Sequence, residues 1–256
     1  LLFNNKPHFS LNFYAFMSSL KEKFLVTTYD TDLNGGLKPY SLMNYFQEIA
    51  SRNAANLHFG YDDLRENSIF WALSRIRVKI NKMPRWNDDI LLETWPMRID
   101  KILALRGFQL RDPTGNVLID AISAWLALDL ETRRPSRLDR LMKDVGWLPE
   151  FGELKDTPGK IILPEMKDHS SLKVKYSDID VNRHVSNSKY VEWAIDAVAD
   201  KNSIDSIKEY QINFTKEAKL GDAINIQVSK LNNGELFVCG VNRESEQKHF
   251  EMKIIC

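Results

Sequence analysis

The stretch LKVKYSDIDVNRH, residues 172–184, repeats the pattern of FLVTTYDTDLNGG, residues 24–36. Placing Asp180 on Asp32 also brings Val174 onto Val26, Asp178 onto Asp30 and Asn182 onto Asn34. Each copy leads into an apolar segment. After the first, Leu42, Tyr45, Phe46, Ile49, Asn53 and Leu57 fall on one helical stripe; after the second comes YVEWAIDAVAD. Strand-like runs follow both helices. They are FWALSRIRVKI, ILLETWPM, ILALRGFQLRD and VLIDAISAWLALDL in the first half, and IKEYQINFT, AINIQVSKL, ELFVCGVNR and KHFEMKIIC in the second. Turn signals such as DPTGN and NNGE mark the hairpins of an antiparallel sheet.

Each half therefore reads as a strand, one long helix and a further set of strands. A helix with one apolar stripe beside an antiparallel sheet predicts an α+β fold in which the sheet wraps around the helix, in two copies. The pattern excludes a doubly wound parallel sheet. The expected boundaries are a first unit over residues 20–130, a linker over 131–170 and a second unit over 171–256. The linker is rich in Pro, Gly and charge and lacks sustained periodicity. Residues 1–19 read as a disordered leader, broken by Asn, Lys, Pro and His, and Met17 opens a cleaner sequence.

Composition narrows the function. With 43% hydrophobic and 27% charged residues, the 256-residue chain is globular in character. Thirty-five basic residues balance thirty-five acidic ones, so no net field argues for nucleic acid or an anionic membrane as the main partner. No apolar run approaches the roughly 20 residues of a membrane-spanning helix. Two cysteines, Cys239 and Cys256, are too few for a disulfide framework and fit a reducing compartment.

The polar stretch DIDVNRHVSNSKY has three readings. Ser186 or Asn187 can cap the helix that follows, by accepting hydrogen bonds from the N–H groups of its first turn. Asp30, Asp32, Asn34 and Gly35 resemble the opening of a calcium loop, as do Asp178, Asp180 and Asn182 in part. The twelfth position, which should hold a bidentate carboxylate, is Ser41 in one copy and Lys189 in the other, so calcium is rejected. Zinc lacks a second ligand near His184, and no metal is expected. The third reading is catalysis. The first copy has Gly36 where the second has His184, which points to chemistry in the second half.

Longer segments carry a resemblance. IFWALSRIRVKINKMPRWNDDILLETWP, GFQLRDPTGNVLIDAISAWLALDLETRRPSRL, DIDVNRHVSNSKYVEW and FTKEAKLGD together resemble the acyl-acyl carrier protein thioesterases of the plant plastid type and their bacterial relatives, from about residue 20 to the C-terminus. The resemblance implies a double hotdog, two antiparallel sheets each wrapped around a long central helix. It also implies hydrolysis of the thioester between a fatty acyl chain and a carrier protein, with no cofactor. The catalytic positions it assigns are Asp180, Asn182, His184 and Glu217. Plant members commonly carry a cysteine immediately after the acid, where this chain has Ala218, so a thiolate route through that position is excluded. Water activated by Glu217 and His184 is the expected nucleophile.

By the same resemblance the first half binds the acyl chain, with Phe46, Ile49, Ala50, Trp71 and Leu73 as candidate lining residues. An acidic carrier protein implies a basic docking patch, for which Arg75, Arg77, Lys79, Lys82 and Arg85, or Arg133, Arg134, Arg137 and Arg140, are candidates. Arg75, Arg77 and Lys79 alternate and should project from one strand face. The rival readings are an acyl-CoA thioesterase and a non-catalytic acyl-binding sensor. A monomer or homodimer in a bacterial cytoplasm is expected, because no transit peptide is evident.

Overall fold

The computed structural model describes residues 18–138, 142–149, 151–199, 206–231 and 233–256; most of the expected leader, and Arg140, lie outside these. The first half contains β1 (Leu20–Leu25), α1 (Pro39–Asn56), a short α2 (Tyr61–Glu66), β2 (Ile69–Ile80), β3 (Asp89–Asp100), β4 (Leu103–Arg111) and β5 (Val117–Asp129). The second contains β6 (Lys167–Lys173), α3 (Asn187–Val198), β7 (Glu209–Phe214), β8 (Ala223–Lys230), β9 (Glu235–Asn242) and β10 (Lys248–Ile255). Both follow the expected plan, and α2 is an addition to the first half.

The strands form one continuous antiparallel sheet in the order β1-β3-β4-β5-β2-β7-β10-β9-β8-β6. Read from each edge inward, the two halves have the same order, and they meet edge to edge through β2 and β7. That seam pairs Arg75 with Asn213 at one end and Lys79 with Glu209 at the other. It is reinforced by a fork in which Arg77 Nε and Nη2 donate to the two Glu209 oxygens at 2.8 and 3.0 Å. Neither half has an open edge at its centre.

Helix α1 starts cleanly because Pro39 occupies its first turn, where the missing N–H has no helical partner to lose. Its apolar stripe, Leu42, Phe46, Ile49 and Ala50, is buried against the sheet. Helix α3 buries Tyr190, Val191, Ala194 and Ile195 in the same core. Phe46, Ile49 and Leu73 are core residues, with Phe46 stacked on Phe108 at a centroid separation of 4.6 Å.

The linker crosses the opposite face of the sheet. Its Phe151 meets Trp95 edge-on, and its Leu148 and Leu154 pack on Trp95, Met97, Leu105 and Ile122. Buried Asp120 pins it, accepting the Glu153 and Leu154 N–H groups at 3.0 and 2.6 Å. Burial pushes the Asp120 carboxyl up while these N–H groups pull it down. Arg75, Arg77 and Lys79 do share this face, but each is paired within the chain. Arg75 donates to Pro158 O, Arg77 to Glu209 and Lys79 to Glu153. Their charges hold the linker and the seam rather than standing free for a partner. Strand β6 begins at Lys167, inside the stretch expected as linker, because it pairs there with Val228 of β8.

Two glycines take aromatic rings across the sheet. Gly107 lies opposite Trp95 and Gly240 opposite Phe250, and a Cβ at either position would overlap the facing ring. Gly107→Ala and Gly240→Ala should each cost about 1–3 kcal/mol. A lower urea midpoint with an unchanged slope is the expected readout; wild-type midpoints would refute the packing argument.

Candidate active site

The repeated loops share their main backbone hydrogen bonds. In the second, the Asp180 N–H donates to His184 O at 2.9 Å, Arg183 N–H to Asp180 O at 3.0 Å and Ser186 N–H to Asp178 O at 2.9 Å. In the first, Asp32 to Gly36, Gly35 to Asp32 and Lys38 to Asp30 are the counterparts, at 2.8, 3.0 and 2.9 Å. Asp32 and Asp180 each accept the N–H two residues on, at 2.9 and 2.8 Å. These carboxylates shape a turn, which is why the polar frame occurs in both halves. Gly35 has φ 77° as the turn requires, and Arg183 adopts φ 65° in the same place.

Asp180 therefore bonds to the loop backbone, and no bond between its carboxylate and the His184 ring exists among the described residues. Ser186 stands at the N-cap of α3, but its hydroxyl pairs with Ser188 Oγ at 3.0 Å instead of a backbone N–H. Asn187 also does not cap; it reaches Gln47 of α1 at 3.3 Å.

The acid arrives from the segment after β7. Ala218 is held on both sides, its carbonyl accepting from Val185 N–H at 3.1 Å and its own N–H donating to the Tyr190 hydroxyl at 2.8 Å. This leaves Glu217 Oε2 at 3.1 Å from His184 Nε2. Its other oxygen, Oε1, lies 3.3 Å from Arg133 Nη1. His184 is mostly enclosed, and Glu217 is 40% exposed, within reach of water.

The first loop shows what the second has gained. There Leu37 N–H donates to Pro84 O as Val185 does to Ala218, so Met83 and Gly36 occupy the places of Glu217 and His184. Helix α2, present among the described residues only in the first half, between α1 and β2, changes the offset, so sequence alone does not align Met83 with Glu217.

Arg133 was legible only as part of a basic run. It has φ 57° in the turn after β5, where Asp129 accepts the Glu131 and Thr132 N–H groups. From there its guanidinium covers the Phe70 ring at 4.6 Å and reaches Glu217. The first half thus contributes a group to the acid of the second.

A cleft of about 530 Å³ opens beside this assembly. Gln47, Ala50, Ser51 and Ala54 of α1 form one wall, and Phe70, Trp71, Ala104 and Trp125 of the sheet form another. Asp180, Val181, Asn182 and Asn187 edge it from the second half. Of the candidate lining residues, Trp71 and Ala50 take part; Phe46, Ile49 and Leu73 fill the core instead. Alanines at 50, 54 and 104 line it, and their small side chains leave room that bulkier ones would take.

No thiol joins the site. Ala218 is fully buried, and Cys239 is buried in strand β9 with its Sγ against Gln227 of β8, its ionisation pushed up to about 11 by burial. Among the described residues no group of three or more His, Cys, Asp or Glu side chains could hold a metal, and no helix is long and apolar enough to cross a membrane.

Comparison with known proteins follows the same outline. The family descriptions "Acyl-ACP thioesterase N-terminal domain" and "Acyl-ACP thioesterase C-terminal domain" match residues 17–144 and 163–255. The chain is 28% identical over 262 residues to oleoyl-acyl carrier protein thioesterase 2, chloroplastic, of Arabidopsis thaliana, covering 91% of this chain and 71% of that protein. Its likeness to thioesterase 1 of the same plant covers 70% of this chain and 55% of the relative. Among solved structures, an acyl-ACP thioesterase from Bacteroides thetaiotaomicron superposes with a TM-score of 0.87 at 24% identity, over 96% of this chain and 99% of that one. The 12:0-ACP thioesterase from Umbellularia californica gives 0.81 at 18% identity, over 93% and 96%. The two solved structures establish the double hotdog fold, and the two domain matches, which together span most of the sequence, establish that this chain belongs to the acyl-ACP thioesterase family.

Proposed function

We propose that the protein hydrolyses the thioester of a fatty acyl-acyl carrier protein, releasing the free fatty acid and the carrier's phosphopantetheine thiol, by direct attack of water. The observation that carries this reading is the Glu217–His184 contact at 3.1 Å, beside an apolar cleft that the same loop edges. Family membership supports the substrate class.

In this mechanism the acyl chain lies in the first-half cleft and the thioester reaches the loop Asp180–Asn182. Glu217 takes a proton from water, and the resulting hydroxide attacks the thioester carbon. Charge then develops on the carbonyl oxygen, for which the Asn182 amide, at the edge of the cleft, and N–H groups at the start of α3 are the candidate donors. The C–S bond breaks, and the proton held by Glu217 passes to the leaving sulfur. His184 and Arg133 hold the two Glu217 oxygens, so the carboxylate keeps one orientation through both transfers. Asp180 contributes by fixing the turn that presents Asn182. A cytoplasmic setting belongs to the same proposal, supported by Cys239 and Cys256 being free thiols.

Glu217→Gln should lower kcat about 10²–10⁴-fold with a similar KM, and His184→Gln should fall less far. A larger loss for His184→Gln would make the imidazole the base, and unchanged rates in both would remove the pair from catalysis. Arg133→Ala should reduce kcat while leaving the unfolding free energy from urea titration within about 0.5 kcal/mol of wild type. Iodoacetamide should not inactivate the enzyme at neutral pH, since no thiol takes part; loss of activity on alkylation would restore a cysteine route. With one acyl chain on either carrier, the protein-bound thioester should show the higher kcat/KM. A clear preference for the CoA ester would reassign the enzyme to acyl-CoA.

A further inference from the structure

The cleft is not apolar throughout. Arg106 of β4 lines it and is only 6% exposed. Its Nη1 donates to Asn53 Oδ1 at 2.6 Å and to Thr94 Oγ1 at 3.2 Å, which ties α1 to the sheet. Nε and Nη2 have no hydrogen-bond partner among the described residues. Neither is sealed off, in contrast to Trp95 Nε1, Tyr210 Oη and His249 Nε2, which are enclosed without partners. No carboxylate among the described residues forms a salt bridge with Arg106, and burial alone pulls the guanidinium down to about 9, which still leaves it charged at neutral pH.

Such a group works against plain hydrocarbon. A methylene chain filling this part of the cleft would strip water from the free N–H groups and offer nothing in return, and hydrogen bonds to charged groups are among the stronger ones to forfeit. A chain bearing an oxygen at the right depth would satisfy them. Arg106 is also distant from the chemistry. By strand spacing and rise it lies on the order of 15–20 Å from Phe70, the ring that Arg133 covers.

We propose that Arg106 makes the inner end of the cleft a site for oxygenated acyl chains, its Nε and Nη2 donating to a hydroxyl or keto oxygen carried remote from the thioester. The proposal rests on the thioesterase reading for its substrate but concerns the cleft alone.

Binding separates the two. Methyl esters of a saturated fatty acid and of its distal-hydroxy analogue, matched in length, carry no carboxylate that could pair with Arg106. Their affinities can be read from the fluorescence of Trp71 and Trp125, which line the cleft. The native protein should bind the hydroxy ester about tenfold or more tightly, and Arg106→Met should reduce that ratio to near one. The corresponding carrier-protein thioesters should show the same ratio in kcat/KM. Equal or tighter binding of the plain ester by the native protein overturns the proposal, and that comparison needs no variant to fold. A preference that survives in Arg106→Met assigns the recognition elsewhere and overturns it too. Hydrolysis of neither thioester, with the binding ratio intact, would refute the thioesterase reading and leave this one standing.

Discussion

The pairing of β2 with β7 is the contact on which the rest depends. Strand hydrogen bonds close the inner edge of each half, so neither presents an unpaired row of backbone groups. The pairing also fixes the register between halves, and the Arg77–Glu209 fork holds only in that register. Through it the loop before α3 edges a cleft walled by α1 and β2, and Arg133 from one half meets Glu217 from the other. A slip of one residue along this seam would turn every side chain of one half to the wrong face. It would also separate the cleft from the candidate acid.

Within that frame the candidate pair is held mainly by neutral, buried contacts. Tyr190 and Val185 grip Ala218 from both sides, and burial raises the Tyr190 phenol far above its ordinary range, so it remains a neutral hydroxyl. The charged members, Glu217 and Arg133, stay partly in water. Rigid placement and solvent access are thus supplied by different residues, and the acid can meet water without losing its orientation.

Much of this was legible in the chain. The repeat from Val26 to Asn34 and from Val174 to Asn182 gave the duplication, and helical spacing from Leu42 to Asn53 gave the central helix. His184 stood out against Gly36. Three things stayed hidden, each for a physical reason. Phe46, Ile49 and Trp71 have the same apolar character, and only their depth along α1 and β2 separates core from cleft; the gap is made by Ala50, Ala54 and Ala104, whose signal is small size rather than a motif. Arg133 reaches its place by a left-handed backbone that its sequence does not demand. Arg75 and Lys79 look like docking charges until the linker lies across them.

The first loop, with Gly36 and Met83 in place of an imidazole and an acid, has a bearing on stoichiometry. A symmetric pair of identical hotdogs would present two equivalent reaction centres, each free to load a chain. Here the two-fold relation survives in the backbone but not in the chemistry. In the proposed mechanism one chain therefore has one place to turn over a substrate, and its first half, without that pair, supplies the wall of the cleft proposed to receive the acyl tail.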